Sequence, residues 1–158
     1  MSENHTLLLK LEGVGKSFPG VRALDGIDLE VRRGEIHAVM GENGAGKSTL
    51  MNILSGVYRS DEGRLLWEGE PVHFKDTREA QDLGIAMIHQ ELSLMPHLSA
   101  AENIFIGRLP RKRSGLVDGP KLHARAEEAL RRLGACDFGA RAKIGDLSTS
   151  QMQLVEIA

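Results

Sequence analysis

The sequence predicts an α/β fold with a parallel core sheet, an antiparallel β attachment at the N-terminal end and a helical segment toward the C-terminal end. Three observations predict it. A continuous apolar run, Ile36 to Met40, leads straight into the glycine-rich segment Gly41–Thr49 and then into Leu50, Ile53, Leu54 and Val57 at helical spacing. Upstream, Leu7 to Val14 and Ile27 to Val31 alternate in part, as half-buried antiparallel strands do. Downstream, Ile85 to Ile88 is a second unbroken apolar run, the pattern of a parallel strand covered on both faces.

The remaining elements follow from punctuation. Gly56 lies near the end of the first helix. Leu65-Leu66-Trp67 and Val72-His73-Phe74 flank Glu68-Gly69-Glu70-Pro71, a hairpin pattern. A short helix is predicted over Asp76 to Leu83, stopped by Gly84. From Leu109 to Pro120 the composition turns to proline, glycine and basic residues, a loop. Pro120 then opens a helix with an apolar stripe of Leu122, Ala126, Ala129, Leu130 and Leu133, stopped at Gly134. On its wet face, Glu127 with Arg131 and Glu128 with Arg132 form i, i+4 pairs. Helical spacing resumes over Gln151 to Ala158, and no internal repeat is found.

Composition excludes several classes. The 158 residues carry 20 Lys+Arg and 22 Asp+Glu for a formal charge of −2, with 41% hydrophobic and 27% charged residues. That is neither a disordered acidic chain nor a uniformly basic nucleic-acid binder, and the length is sufficient for one domain. The lone Cys136 rules out an internal disulfide and a cysteine zinc cluster. No run is apolar enough for a membrane-spanning helix, and MSENHTLLLK is not a secretion signal. Six scattered histidines show no metal-ligand spacing. Arg108, Arg111, Lys112 and Arg113 form a basic loop, best read as solvated although anionic lipid or nucleic acid would also suit it.

Gly41-Glu42-Asn43-Gly44-Ala45-Gly46-Lys47-Ser48-Thr49 matches G-x-x-x-x-G-K-[ST]. Glycines let consecutive backbone N–H groups turn toward phosphate oxygens without a Cβ in the way. The helix that follows adds unsatisfied donors and its positive dipole end. Lys47 has the reach for β- and γ-phosphates, and the Ser48 hydroxyl suits a Mg²⁺ shell. The dinucleotide pattern G-x-G-x-x-G is absent, because the glycines fall as G-x-x-G-x-G. A nucleoside triphosphate with Mg²⁺ is therefore the expected ligand.

Three further segments surround that loop in a fixed order: KSFPGVRAL (Lys16 to Leu24), HQELSL (His89 to Leu94) and LSTSQMQLVEIA (Leu147 to Ala158). Together the four motifs resemble the ATP-binding subunit of ATP-binding-cassette (ABC) transporters, most closely the bacterial monosaccharide importers for ribose, galactose, xylose or arabinose. The resemblance covers nearly the whole chain. It implies a phosphate-loop NTPase fold, with residues 1–100 as the ATP-binding core and 101–158 as a helical segment ending in LSTSQ. It implies that Phe18 stacks on adenine and that Gln90 senses Mg²⁺ and the attacking water. Glu91 to His97 would face a membrane permease subunit, with Leu92, Leu94, Met95 and Leu98 as a docking surface or as core. Ser148, Ser150 and Gln151 stand in the family's LSGGQ motif, which reaches ATP held by a second nucleotide-binding domain in a head-to-tail sandwich. Thr149 and Ser150 replace both glycines of that motif, and a Cβ there limits backbone approach to phosphate.

The resemblance further implies a peripheral protein on the cytoplasmic face of the bacterial inner membrane, served indirectly by a periplasmic sugar-binding protein, with no nucleic-acid partner. The family's apolar strand ending in Asp–Glu and its later switch histidine are not found before Ala158. The expectation is therefore an N-terminal part of a sugar-import ATPase that binds nucleotide with negligible turnover. The alternatives are a soluble cassette ATPase acting on ribosomes or DNA, and a small-metabolite kinase. The kinase reading leaves KSFPGVRAL, HQELSL and LSTSQ unexplained.

Overall fold

The computed structural model describes residues 6–89, 91–135 and 137–158. The chain divides into two units, Met1–Met87 and Ile88–Ala158.

In the first unit, β1 (Leu7–Phe18), β2 (Val21–Arg32), β3 (Glu62–Trp67) and β4 (Glu70–Val72) form one antiparallel sheet in the order β2-β1-β3-β4. β1 is its central long strand, and its buried apolar side chains are Leu9, Leu11 and Val14. A step of three from Leu11 to Val14 is out of phase with a strand's period of two. A bulge resolves it: the register shifts between Leu11 and Val14, with Gly13 at φ 59° donating its N–H to Asp28 Oδ1 at 2.8 Å. β1 and β2 run longer than expected, because Pro19-Gly20 makes a tight turn between the paired Phe18 and Val21. The β3–β4 connection is also tighter than expected. Trp67 pairs with Glu70, and Glu68 and Gly69 both have positive φ, as a two-residue type I′ turn requires.

The first unit also holds α1 (Lys47–Leu54) and α2 (Thr77–Asp82). α1 buries Leu50 and Ile53 against Leu9, Leu11, Val14, Leu24, Leu65 and Phe74. Its C-terminus is closed at Gly56, whose N–H donates to the Ile53 carbonyl while the Val57 N–H donates to Asn52. Val57 therefore lies past the helix and is exposed, contrary to the expected stripe. α2 opens on Asp76, whose carboxylate accepts the Arg78 and Glu79 N–H groups, and ends at Gly84 as expected.

The second unit is helical: α3 (Ala100–Ile104), α4 (Gly119–Arg132), a 3₁₀ turn at Ile144–Asp146 and α5 (Thr149–Ile157). Leu122, Ala126 and Leu130 of α4 pack with Ala100, Ala101, Ile104, Phe105, Ile144 and Val155. Glu128 pairs with Arg132 as expected. Glu127 instead accepts the Ala140 N–H at 2.7 Å, tying α4 to the chain that leads toward α5.

The departure from expectation is the parallel core. Ile36–Met40 and Ile85–Ile88 are not strands, and neither has a ladder partner among the described residues. A strand exists through its neighbour, and a parallel neighbour arrives only by a crossover connection. Without one, the apolar side chains of such a run stay open to solvent, and Ile36 is 99% and Met40 89% exposed.

Candidate functional site

The phosphate loop is built between that exposed run and α1. Gly44 and Gly46 adopt φ 87° and 83°, conformations that L side chains resist. Gly46 is the N-cap of α1, and its carbonyl accepts the Leu50 N–H at 2.9 Å. No side chain caps this helix, so the donors of its first turn are left for another acceptor. A Cβ on Gly46 would lie 2.3 Å from the Ala23 carbonyl oxygen and 2.7 Å from Leu24 Cδ2. The loop is thus seated directly on β2, the strand paired with the one that carries Phe18.

Lys47 folds its ammonium back onto the loop. Its Nζ donates to the Gly41 carbonyl at 2.6 Å and to the Glu42 carbonyl at 2.7 Å. A cation is therefore held within a glycine-rich turn whose residues Gly41, Glu42, Asn43, Gly44 and Ala45 are exposed. A Cβ on Gly44 would meet nothing within 4 Å, so the space beside that turn is open. Exposed backbone donors, a helix N-terminus and a bound ammonium together fit the phosphates of a nucleotide. Ser48 is exposed beside Lys47, and Thr49 is half-buried. Among the described residues no group of three His, Cys, Asp or Glu side chains could hold a metal ion. A Mg²⁺ shell here would have to combine the Ser48 hydroxyl with oxygens that come with the nucleotide.

Phe18 is half-buried at the β1–β2 turn. Tyr58 meets it edge-on with ring centroids 5.4 Å apart, and Lys16 Nζ lies 5.6 Å from its ring centre. Lys16 also donates to Asp61 Oδ1 at 2.7 Å, while Asp61 Oδ2 accepts the Ser17 N–H at 2.8 Å. The Lys16 hydrogen bond, then the Ser17 N–H, hold the Asp61 carboxyl below its ordinary pKa. Sequence reasoning missed Asp61 and Tyr58, whose link to the turn is visible only once β3 is paired with β1. A concavity of about 270 Å³ lies beside Tyr58, Arg59 and Phe74, and none of its lining residues belongs to the loop.

The second unit carries the LSTSQ segment. Ser148 is the N-cap of α5, with a reciprocal capping box: its Oγ accepts the Gln151 N–H, and Gln151 Oε1 accepts the Ser148 N–H at 2.8 Å. Gln151 Nε2 donates to Asp137 Oδ2 at 2.8 Å, and the Ser148 and Ser150 hydroxyls lie 3.1 Å apart. The segment thus uses its polar groups first to start a helix. Gln90 lies outside the described residues, as does Cys136.

A buried side chain helps to hold the stretch after Gln90. Asn103, 7% exposed, accepts the Met95 N–H at 2.7 Å and donates to the carbonyls of Met95 and Ser99. Ile144 and Gly145 donate their N–H groups back to Leu98 and Pro96. Leu94 packs on the core, whereas Leu92 and Met95 are exposed. The expected docking surface is therefore divided between core and solvent.

Comparison with known proteins places this geometry. A family model described as ABC transporter matches residues 24–158. The putative ribose/galactose/methyl galactoside import ATP-binding protein 1 of Burkholderia ambifaria is 56% identical over 151 residues, 96% of this chain and 29% of that protein. The ribose import ATP-binding protein RbsA 1 of Streptomyces avermitilis is 53% identical over 96% of this chain and 28% of its own length. The chain thus spans less than a third of these relatives. Among solved structures, the ADP conformation of an ATP-binding cassette of an ABC transporter aligns with TM-score 0.80 and 30% identity, over 96% of this chain and 63% of that one. A dimeric cassette in a post-hydrolysis state, bound to ADP and Pi, aligns with TM-score 0.74 and 29% identity, over 95% and 67%. The chain belongs to the ABC transporter family, and its fold aligns with part of the ATP-binding cassette.

Proposed function

We propose that this chain is the ATP-binding part of the first nucleotide-binding domain of a bacterial monosaccharide importer. In that reading residues 1–100 are the ATP-binding core and 101–158 its helical segment. The observation that carries it is the Lys47 ammonium bound by the Gly41 and Glu42 carbonyls, between glycines already in left-handed conformations. The 56% identity to an import ATP-binding protein supports the sugar-uptake role.

On this reading the loop N–H groups from Gly44 to Lys47 and the first turn of α1 bind the phosphates, and Lys47 moves from its two carbonyl acceptors to the β- and γ-oxygens. Mg²⁺ would neutralise phosphate charge, held by Ser48 and Gln90. Phe18 would turn from Tyr58 toward the adenine ring. Ser148, Ser150 and Gln151 would serve ATP bound to a second nucleotide-binding domain. Preorganised charge and position would supply most of the rate enhancement for phosphoryl transfer. The Asp–Glu pair needed to hold and polarise water is not found on an apolar run in this sequence, so this chain binds ATP with negligible turnover. The longer protein would dock on permease subunits through Glu91 to His97, at the cytoplasmic face of the inner membrane.

Two assays test the proposal. A phosphate-release assay on this chain should show no steady turnover, and turnover abolished by Lys47→Ala would refute that part. The longer protein should co-purify with a membrane permease and lose ATPase activity in Lys47→Ala. Co-purification with ribosomes instead would overturn the transport role.

A further inference from the structure

The basic segment between α3 and α4 is not an unstructured loop. Four of the chain's 20 cations, Arg108, Arg111, Lys112 and Arg113, fall within Ile106 to Val117, and that stretch contains no acid. It folds as a small hairpin. Arg111 and Val117 pair across an antiparallel bridge, the Lys112 N–H donates to the Leu116 carbonyl at 2.8 Å, and the Asp118 N–H donates to Pro110 at 2.8 Å. Arg113-Ser114-Gly115 closes it, with Gly115 at φ 83° and its N–H on the Lys112 carbonyl, the pattern of a three-residue hairpin loop. Arg111 donates a further bond to the Gly115 carbonyl at 2.9 Å. Leu109 packs on the helical core and Pro110 is buried, so the base is anchored while the tip stands in solvent.

The segment Ile106 to Val117 combines two chemistries. Among the described residues no carboxylate lies within ion-pairing distance of any of the segment's four cations. Beside them Leu116 is 70% and Ile106 51% exposed, with Val117 exposed as well. The pairing sets a cation against an aliphatic on both faces, Arg111 opposite Val117 and Lys112 opposite Leu116. Unpaired cations would suit any polyanion. Exposed aliphatics interleaved with long cationic side chains suit an interface whose headgroups are anionic and whose interior is apolar, since the charged heads can stay at headgroup level while their stems and the leucine sink deeper. Single-stranded nucleic acid is the poorer match, because its bases are held on aromatic faces and Ile106 to Val117 contains no aromatic residue.

We propose that the hairpin tip at Arg111–Arg113 and Leu116, with Arg108 just before its base, is a contact site for the anionic headgroups of a membrane surface. The proposal is independent of the phosphate loop. Its test is co-sedimentation of the chain with vesicles of equal phosphatidylglycerol and phosphatidylcholine, with pure phosphatidylcholine vesicles and with polyuridylate as comparisons. The variant Arg108→Gln/Lys112→Gln/Arg113→Gln leaves the Arg111 bond in place and should keep the native circular dichroism spectrum. Binding to the anionic vesicles should weaken about fivefold per cation removed, on the order of a hundredfold for three, and should fade with added salt. Leu116→Asp, with all cations intact, should weaken it too. Equal binding to both vesicle types, no vesicle binding at all, or undiminished binding by the triple variant would overturn the proposal. Retention on polyuridylate without vesicle binding would overturn it in favour of nucleic acid.

Discussion

Replacing Gly46 by alanine separates two costs that usually arrive together. The first is conformational: at φ 83° an alanine pays about 1–2 kcal/mol for the left-handed region. The second is steric, because the new Cβ would sit 2.3 Å from the Ala23 carbonyl oxygen, a backbone atom of β2 that cannot rotate away. Forcing β2 or the loop to shift adds about 1–3 kcal/mol, as overpacking does elsewhere. Gly46→Ala should therefore lose about 2–5 kcal/mol of stability. Gly44→Ala is the matched control, since Gly44 has φ 87° but nothing within 4 Å of its added Cβ. It should lose only the conformational part, about 1–2 kcal/mol. Urea denaturation of the two variants beside the parent measures the difference. Equal losses would refute the claim that the loop is seated on β2 through Gly46.

Asn103→Leu should strand the Met95 N–H and cost about 1–3 kcal/mol by urea denaturation, with faster proteolysis within residues 95–99. Ser148→Ala should cost about 1 kcal/mol through the lost cap of α5, whereas Asp137→Ala, at an exposed side-chain bond, should cost less than about 0.5 kcal/mol in the same assay. Asp61 has its folded-state pKa lowered by Lys16 and the Ser17 N–H, so its stabilising effect is present above about pH 4 and fades as pH falls through the folded value. Asp61→Asn should flatten that acid limb of a stability-against-pH profile and leave the neutral-pH slope unchanged.

What could be read from the sequence was local. The phosphate loop is legible because its chemistry fixes four residue types, Gly41, Gly46, Lys47 and Ser48, at set spacing within eight consecutive positions. Gly84 and Gly134 are legible for a similar reason, since a glycine ending a helical pattern is itself the terminating device. The bulge at Gly13 was hidden, because Leu11 and Val14 share a core only if an extra residue is absorbed between them. The lone segments Ile36–Met40 and Ile85–Ile88 read as strands from their apolar content, yet pairing is a property of two segments and no partner is among the described residues. Asn103, Asp61 and Asp137 are not legible for the same physical reason. Each makes a bond to backbone or side chains 8 or more residues away, as far as 45 for Asp61, across contacts that only the fold creates. LSTSQ lies between these cases: the spacing of Ser148 and Gln151 that makes its capping box is local, whereas the bond from Gln151 to Asp137 is not.

The measurement closest to the central claim is calorimetric titration of this chain with ATP and Mg²⁺, followed in parallel by the amide resonances of Gly44 to Lys47. Saturable binding to one site is predicted, with those amides shifting most and affinity falling at least about tenfold in Lys47→Ala, as loss of a charge-assisted hydrogen bond of about 1.5–3 kcal/mol implies. Binding that Lys47→Ala leaves intact, or saturation without movement of those amides, would contradict it.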